Sequence, residues 1–382
     1  MNADFHYYAT YCAALIAGYS VEEAKRIAYS DNFVDVCTKT MLKNCGAPLS
    51  AATTQTTFEL ADITTDILGL QEITRIWSSF HFLPGDLYAP IKYGSRNYRN
   101  KYRLICKPNS TLVKETVEIA KDQSLEAIGI AMHILCDTWA HQNFAGTPSL
   151  VINNTTNYFF EVIGNEKFPL NMTRNVAKGD SIEQRRYTNS LYQGNETSIM
   201  NLGHGRAGHL PDLSFITYEY MPAWGKYHVI IKNNPQDFMF AFKQMVYALK
   251  YLRGDLPEFK LNTYDPLDGY EQKIDEIIRT RKLKLDEEWA SFAKDLGKED
   301  VPPFDAKLFV DEYINTPKEK KDETNFGLFL HHALKQKSMV TNRIWQSHNN
   351  LAGYSITYNG NSLKGLKDYW TLIGEEIKGA KK

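Results

Sequence analysis

The chain carries almost no net charge, no paired cysteine spacing and no long apolar run, and each absence narrows its class. Five cysteines, Cys12, Cys37, Cys45, Cys106 and Cys136, form an odd number without a Cys-x-x-Cys, so they read as reduced thiols and not as a disulfide framework. A formal charge of −1 over 382 residues gives no broad surface for nucleic acid. Any polyanionic substrate must be met locally, and no stable nucleic-acid partner is expected. No apolar stretch is long enough to span a bilayer, so no transmembrane segment is expected. The start, Met-Asn-Ala-Asp-Phe-His, lacks a basic region and the apolar piece from Tyr11 to Tyr19 is short; a cytoplasmic protein is the expectation, with export by a route without a cleaved signal left open. There is no internal repeat, and no His-Asp dipeptide of the kind one class of phosphohydrolase uses.

Aromatic residues are plentiful, at 13%. They suit a groove for lipid or nucleobases and equally a packed core, which is the default. The most informative stretch is Ala127 to Phe144, where His133, Asp137 and His141 follow at i, i+4 steps inside an apolar run. On a helix all three project along one narrow stripe. At ~1.5 Å rise per residue the two histidines lie about 12 Å apart, too far to share one ion held at roughly 2 Å. The economical reading is Asp137 bridging two ions, one on His133 and the other on His141, the arrangement that splits phosphate esters. An unpartnered carboxylate on such an apolar stripe would be costly to bury, so cations are its expected partners.

The pattern His133-x-x-x-Asp137-x-x-x-His141-x-Asn-Phe resembles the signature helix of the zinc-dependent phospholipase C and single-strand-specific nuclease superfamily. Similar helices occur in heterokaryon-incompatibility proteins and in uncharacterised bacterial families. The resemblance implies an all-α fold around three zinc ions and hydrolysis of phosphodiesters. It also implies roles for single residues over roughly the first 220 positions. His6 matches the superfamily's N-terminal histidine ligand. Asp35, preferred over its i−4 neighbour Asp31, matches an aspartate that binds metal or orients the attacking water. His81 matches an isolated zinc-binding histidine. The superfamily's mature chain begins with a Trp whose amine binds metal, whereas this one begins with Met1.

A glycine-rich loop, Leu202-Gly-His-Gly-Arg-Ala-Gly-His-Leu-Pro-Asp212, adds His204, His209 and Asp212 as ligand candidates. Glycines there let backbone approach an ion. The superfamily's His-x-x-x-Glu is absent, so which of the three completes a site is open. Arg206 is a candidate for binding a phosphate oxygen through its guanidinium fork.

The expected organisation is a metal-binding helical core over 1–252, with 147–200 as an irregular insertion or lid, and a helical extension over 253–382 packed on it. Ser20 to Glu23 reads as a capping box opening a helix that runs to about Met41. His331 and His332, being adjacent, point to different sides and read as structural. The expected function is a metal-dependent phosphoric ester hydrolase, phospholipase C-like or nuclease-like, with two or three zinc ions, a phosphodiester or phospholipid substrate, and Asp35 and Asp137 as catalytic residues. The alternative is a non-catalytic protein with structural zinc or a degenerate site used for binding.

Overall fold

The computed structural model describes residues 1–55, 67–147, 150–173, 178–189 and 203–349. A π-helical turn, Phe5–Ala9, leads into α1 (Thr10–Ile16), followed by α2 (Val21–Phe33), α3 (Lys39–Asn44), α4 (Ile67–Phe80) and α5 (Arg96–Tyr102). Next come α6 (Thr111–Ala120), α7 (Leu125–Ala140) and α8 (Leu150–Asn153). Four strands follow: β1 (Thr155–Ile163), β2 (Glu166–Pro169), β3 (Asn171–Thr173) and β4 (Arg186–Thr188). After α9 (His204–Ala207) come β5 (Thr217–Pro222) and β6 (Ile230–Asn233). The helices α10 (Asn234–Arg253), α11 (Glu271–Arg279), α12 (Asp286–Gly297), α13 (Lys307–Asn315) and α14 (Asn325–Gln346) complete the described chain.

The all-α expectation is corrected: β2, β1, β5 and β6 form a four-stranded antiparallel sheet, and β3 pairs with β4 in parallel. Most of these strands lie in the 147–200 stretch read as irregular. Pairing of β1 with β5 joins Phe159 to Tyr220 across distant sequence, so no local signal announces it. Buried charge also breaks the strand pattern. Glu161 and Glu219 sit inside, Glu161 held by Arg185 at 3.2 Å and Arg281 at 2.7 Å, and Glu219 by Lys167 at 2.8 Å and Tyr158.

The capping box is present: Ser20 accepts from the Glu23 backbone and Glu23 answers the Ser20 backbone. The helix it opens ends at Phe33, not near Met41. Ser124 caps α7, whose residues from Glu126 to Ala140 are all buried. A helix apolar on every side belongs in a core, and α2, α6, α10 and α14 surround α7. The segment after Gly254 packs on the same core, with Trp289 of α12 stacked on Phe242 and edge-on to Phe5. No helix among the described residues is long and apolar enough to cross a membrane.

Two features of this core make predictions. Gly129 sits where α7 meets α2, and a Cβ there would clash with the Ile27 carbonyl oxygen and lie 2.7 Å from Ser30 Cβ and 2.8 Å from the Asp31 nitrogen. Alanine gains about 1 kcal/mol of helix propensity, yet forcing two backbones apart costs about 1–3 kcal/mol. Gly129→Ala should therefore lower the urea midpoint, a result that an unchanged midpoint would refute.

His332 is buried on α14, and its Nε2 has no partner among the described residues. Burial, with help from Lys335 and His331, pushes its pKa down to about 3. The folded protein keeps the ring neutral while the unfolded chain takes up a proton below about 6.5. Protonation therefore favours unfolding as pH falls from about 6.5 towards 3. By pH 5 this amounts to about 2 kcal/mol. His332→Leu should lose that share of the acid sensitivity, read as a smaller drop in Tm between pH 7.5 and pH 5 than in the wild type.

Candidate metal centre

Helix α7 delivers His133 and Asp137 to the middle of the molecule and stops one residue before His141. The His141 N–H still donates to the Asp137 carbonyl at 2.8 Å, but Asn143 takes a left-handed φ of 77° and turns the chain away. Buried Lys232 donates to the Trp139 carbonyl at 2.9 Å and pairs with Asp237, which satisfies the end of the helix. His141, at the end of the helix, still has its Nδ1 3.5 Å from Asp137 Oδ2, and its ring stacks on Phe82.

Four imidazoles are each pinned at one nitrogen, leaving the other aimed inward. His81 Nε2 donates to the Thr54 carbonyl at 2.8 Å, and His141 Nδ1 to the His81 carbonyl at 2.7 Å. A carbonyl only accepts, so the pinned nitrogen carries the proton and the inner one is a lone pair in the neutral ring. Asp31 Oδ1 performs the same task for His6 Nδ1 at 2.7 Å and His133 Nδ1 at 3.2 Å, while Thr10 donates to its other oxygen at 2.6 Å. Asp31, set aside on sequence in favour of Asp35, is fully buried between two histidines.

The inward atoms converge. His81 Nδ1, His133 Nε2 and Asp137 Oδ2 form a triangle with edges of 3.2, 3.3 and 3.3 Å, and Asp35 Oδ1 lies 3.8 and 3.9 Å from the two nitrogens. A metal cation between these atoms, or a proton on His133, offsets the repulsion of lone pairs at these distances. Ligands held tetrahedrally at about 2.0–2.1 Å are about 3.3 Å apart, which matches the triangle. The other Asp137 oxygen meets His6 Nε2 at 3.2 Å and the Met1 amine at 2.6 Å. That amine is also 3.4 Å from Asp212 Oδ1 and 3.5 Å from His141 Nε2.

A second cluster comes from the glycine-rich loop. Gly203 (φ 51°, ψ −114°) and Gly208 (φ 59°, ψ −134°) bracket α9 in conformations that require glycine. Between and after them, His204 Nε2 lies 3.3 Å from Asp212 Oδ2, and His141 Nε2 lies 3.1 Å from Asp212 Oδ1. Asn234, buried at the start of α10, donates to the carbonyls of Leu210 and Leu213 at 2.7 and 2.8 Å and so fixes the turn that presents Asp212. His209 faces outward instead, bonded to Asp180 at 2.7 Å, and Arg206 reaches Asn157 at 2.6 Å. Neither joins the clusters.

Among the described residues three groups could hold a metal ion: His6, Asp31 and His133; Asp35, His81 and His133; and His141, His204 and Asp212, each with ligand atoms within 4.8 Å of one another. Burial pushes the Asp137 carboxyl up, yet the charges of His141, the Met1 amine, His133 and His6 hold it well below the usual range. Burial likewise opposes protonation of His133, while Asp137 and Asp35 bring it up to about 10. Burial dominates at His141, which falls to about 4. Beside the clusters lies a cleft of about 250 Å³, onto which Asp35, Asp137, His141 and Asp212 open together with Trp77 and Phe82. No Lys or Arg lines it among the described residues.

Fold and site together define a helical protein with an antiparallel sheet whose buried His and Asp side chains could bind metal. The chain belongs to a family of unknown function, DUF6765, whose model matches residues 1–344. No curated protein and no solved structure matches the chain.

Proposed function

We propose that this protein is a zinc-dependent phosphoric ester hydrolase acting on a phosphodiester or phospholipid. The observation that carries the reading is the set of four histidines, each pinned at one nitrogen by a carbonyl or carboxylate, with the free nitrogens of His6, His81 and His133 aimed at Asp137 and that of His141 at Asp212, the arrangement of metal-binding imidazoles. Imidazole and carboxylate donors favour zinc. Asp35, His81, His133 and Asp137 would hold one ion; Asp137, His141, His204 and Asp212, with His6 beside them, a second or third. When bound, zinc supplies charge for the phosphoryl oxygens and a more acidic water. The chain's own residues do the rest. With no Lys or Arg among the described residues that line the cleft, phosphate neutralisation falls to the centre. Asp35, the most exposed ligand candidate of its cluster and hydrogen-bonded to Gln55 at 3.3 Å, orients water in the cleft and takes its proton as the oxygen bonds to phosphorus and the ester bond breaks. The open cleft argues against a closed structural site.

The test is elemental mass spectrometry on untagged protein together with hydrolysis of bis-p-nitrophenyl phosphate. Two to three zinc equivalents, with activity lost on chelation and regained with zinc, is the expected result. Protein that neither carries metal nor takes it up would overturn the reading; bound zinc without hydrolysis of any phosphodiester would leave the non-catalytic alternative.

A further inference from the structure

Between Leu87 and Lys107 the chain holds six Lys or Arg, four Tyr and no acidic residue, in a protein of net charge −1. The fold adds a second basic, aromatic piece to it. The Tyr98 hydroxyl donates to the Trp224 carbonyl at 2.8 Å, Tyr102 packs edge-on to Trp224, and Lys226 Nζ sits 5.8 Å from the Tyr93 ring centroid. Lys92, Arg99, Lys107 and Lys226 are exposed and without an ion-pair partner among the described residues, Lys107 and Lys226 lying over the rings of Tyr102 and Tyr93. Tyr93 is 70% exposed, and a few residues after Lys226 come two more exposed apolar side chains, Val229 at 40% and Ile231 at 60%, just before and on edge strand β6.

This face adjoins the cleft. Tyr102 and Trp224 pack against Ile105, Ala145 and Ile152, and Ala145 lines the cleft. Asn153 also lines it, and the next residue, Asn154, donates to the Tyr227 hydroxyl at 3.0 Å.

We propose that this face docks the protein on an anionic lipid bilayer, with the mouth of the cleft beside the headgroups. Unpaired Lys and Arg meet the negative surface, each adding about fivefold to binding. Tyrosines are amphipathic rings suited to the headgroup level, and protruding Ile231 and Val229 gain only where there is an apolar phase to enter. Those aliphatic tips favour a bilayer over single-stranded nucleic acid, which would use stacking faces. What the docked cleft does there rests on the hydrolase reading; the docking itself does not.

The experiment is flotation of the full chain with vesicles of phosphatidylcholine alone and of phosphatidylcholine mixed with phosphatidylglycerol, at low and high salt. Binding to the mixed vesicles only, weakened by salt, is expected. Lys92→Glu, Arg99→Glu and Lys226→Glu together should weaken it by more than about a hundredfold, with circular dichroism and zinc content unchanged. Tyr93→Ala with Ile231→Ser is a second, charge-neutral variant and should weaken the binding that survives salt. Absence of binding to anionic vesicles, full binding by both variants, or tighter binding to a single-stranded oligonucleotide would overturn the proposal. Vesicle binding by protein that hydrolyses no phosphodiester would leave docking standing while the hydrolase reading falls.

Discussion

On the proposed zinc-hydrolase reading, Asp137→Asn should abolish most zinc binding and lower hydrolysis of bis-p-nitrophenyl phosphate by about a thousandfold or more, the several kcal/mol that metal-borne charge stabilisation supplies. The variant keeps the shape of the side chain and removes its charge. That charge faces the Met1 amine, His6, His81, His133 and His141 within 3.5 Å. No other side chain in the centre touches so many candidate ligands with both of its oxygens. Stability falls as well, because losing one partner of a buried charged group costs about 3–5 kcal/mol. A calorimetric comparison with and without chelator separates the two effects. Chelation should lower Tm in the wild type, where bound metal favours the folded state, and leave the variant unmoved. Full zinc content and full activity in Asp137→Asn would sink the shared-carboxylate role.

How much of this could be read from sequence depends on whether the signal is local. The run Ala127 to Ala140 announces a buried helix because it is apolar on every side, and His133 and Asp137 stand out against it. His6 and His81 carried no local signal; only the resemblance pointed to them, and the fold brings both to Asp137. The glycine-rich loop marked its own importance, but spacing could not tell His204, which turns in, from His209, which turns to Asp180. That choice is made by Gly203 and Gly208 and by the Asn234 clamp from α10. The sheet was invisible because its partners are far apart in sequence and two of its buried residues, one on each face, are Glu161 and Glu219. Asp31 had one usable signal, its i, i+4 relation to Asp35 at the end of α2. A solvated helix face explains such a pair equally well until the partner histidines are known.

Asp31 carries the second large prediction. It lies outside the cleft, is fully buried, and among the described residues its carboxylate bonds the far nitrogens of His6 and His133 and the Thr10 hydroxyl. Its geometry is that of an orienting carboxylate: it keeps the protons on the pinned nitrogens and raises the basicity of the inward ones. Loss of such a partner costs about 10–100-fold in metal affinity or activity. Asp31→Asn should therefore weaken zinc binding by that factor in a competition titration with a chromophoric chelator. Activity should return when zinc is supplied in excess, since the atoms facing the cleft are untouched. Asp31→Ala, which also leaves His6, His133 and Thr10 without an acceptor, should be weaker still and less stable. The contrast with Asp137→Asn is the informative part. Excess zinc should rescue the variant of the residue proposed to aim the ligands and fail to rescue that of the residue proposed as a ligand. If Asp31→Asn were as dead as Asp137→Asn at saturating zinc, Asp31 would have to be counted as a ligand, consistent with the His6, Asp31 and His133 grouping, and the ring orientation would have to be reassigned.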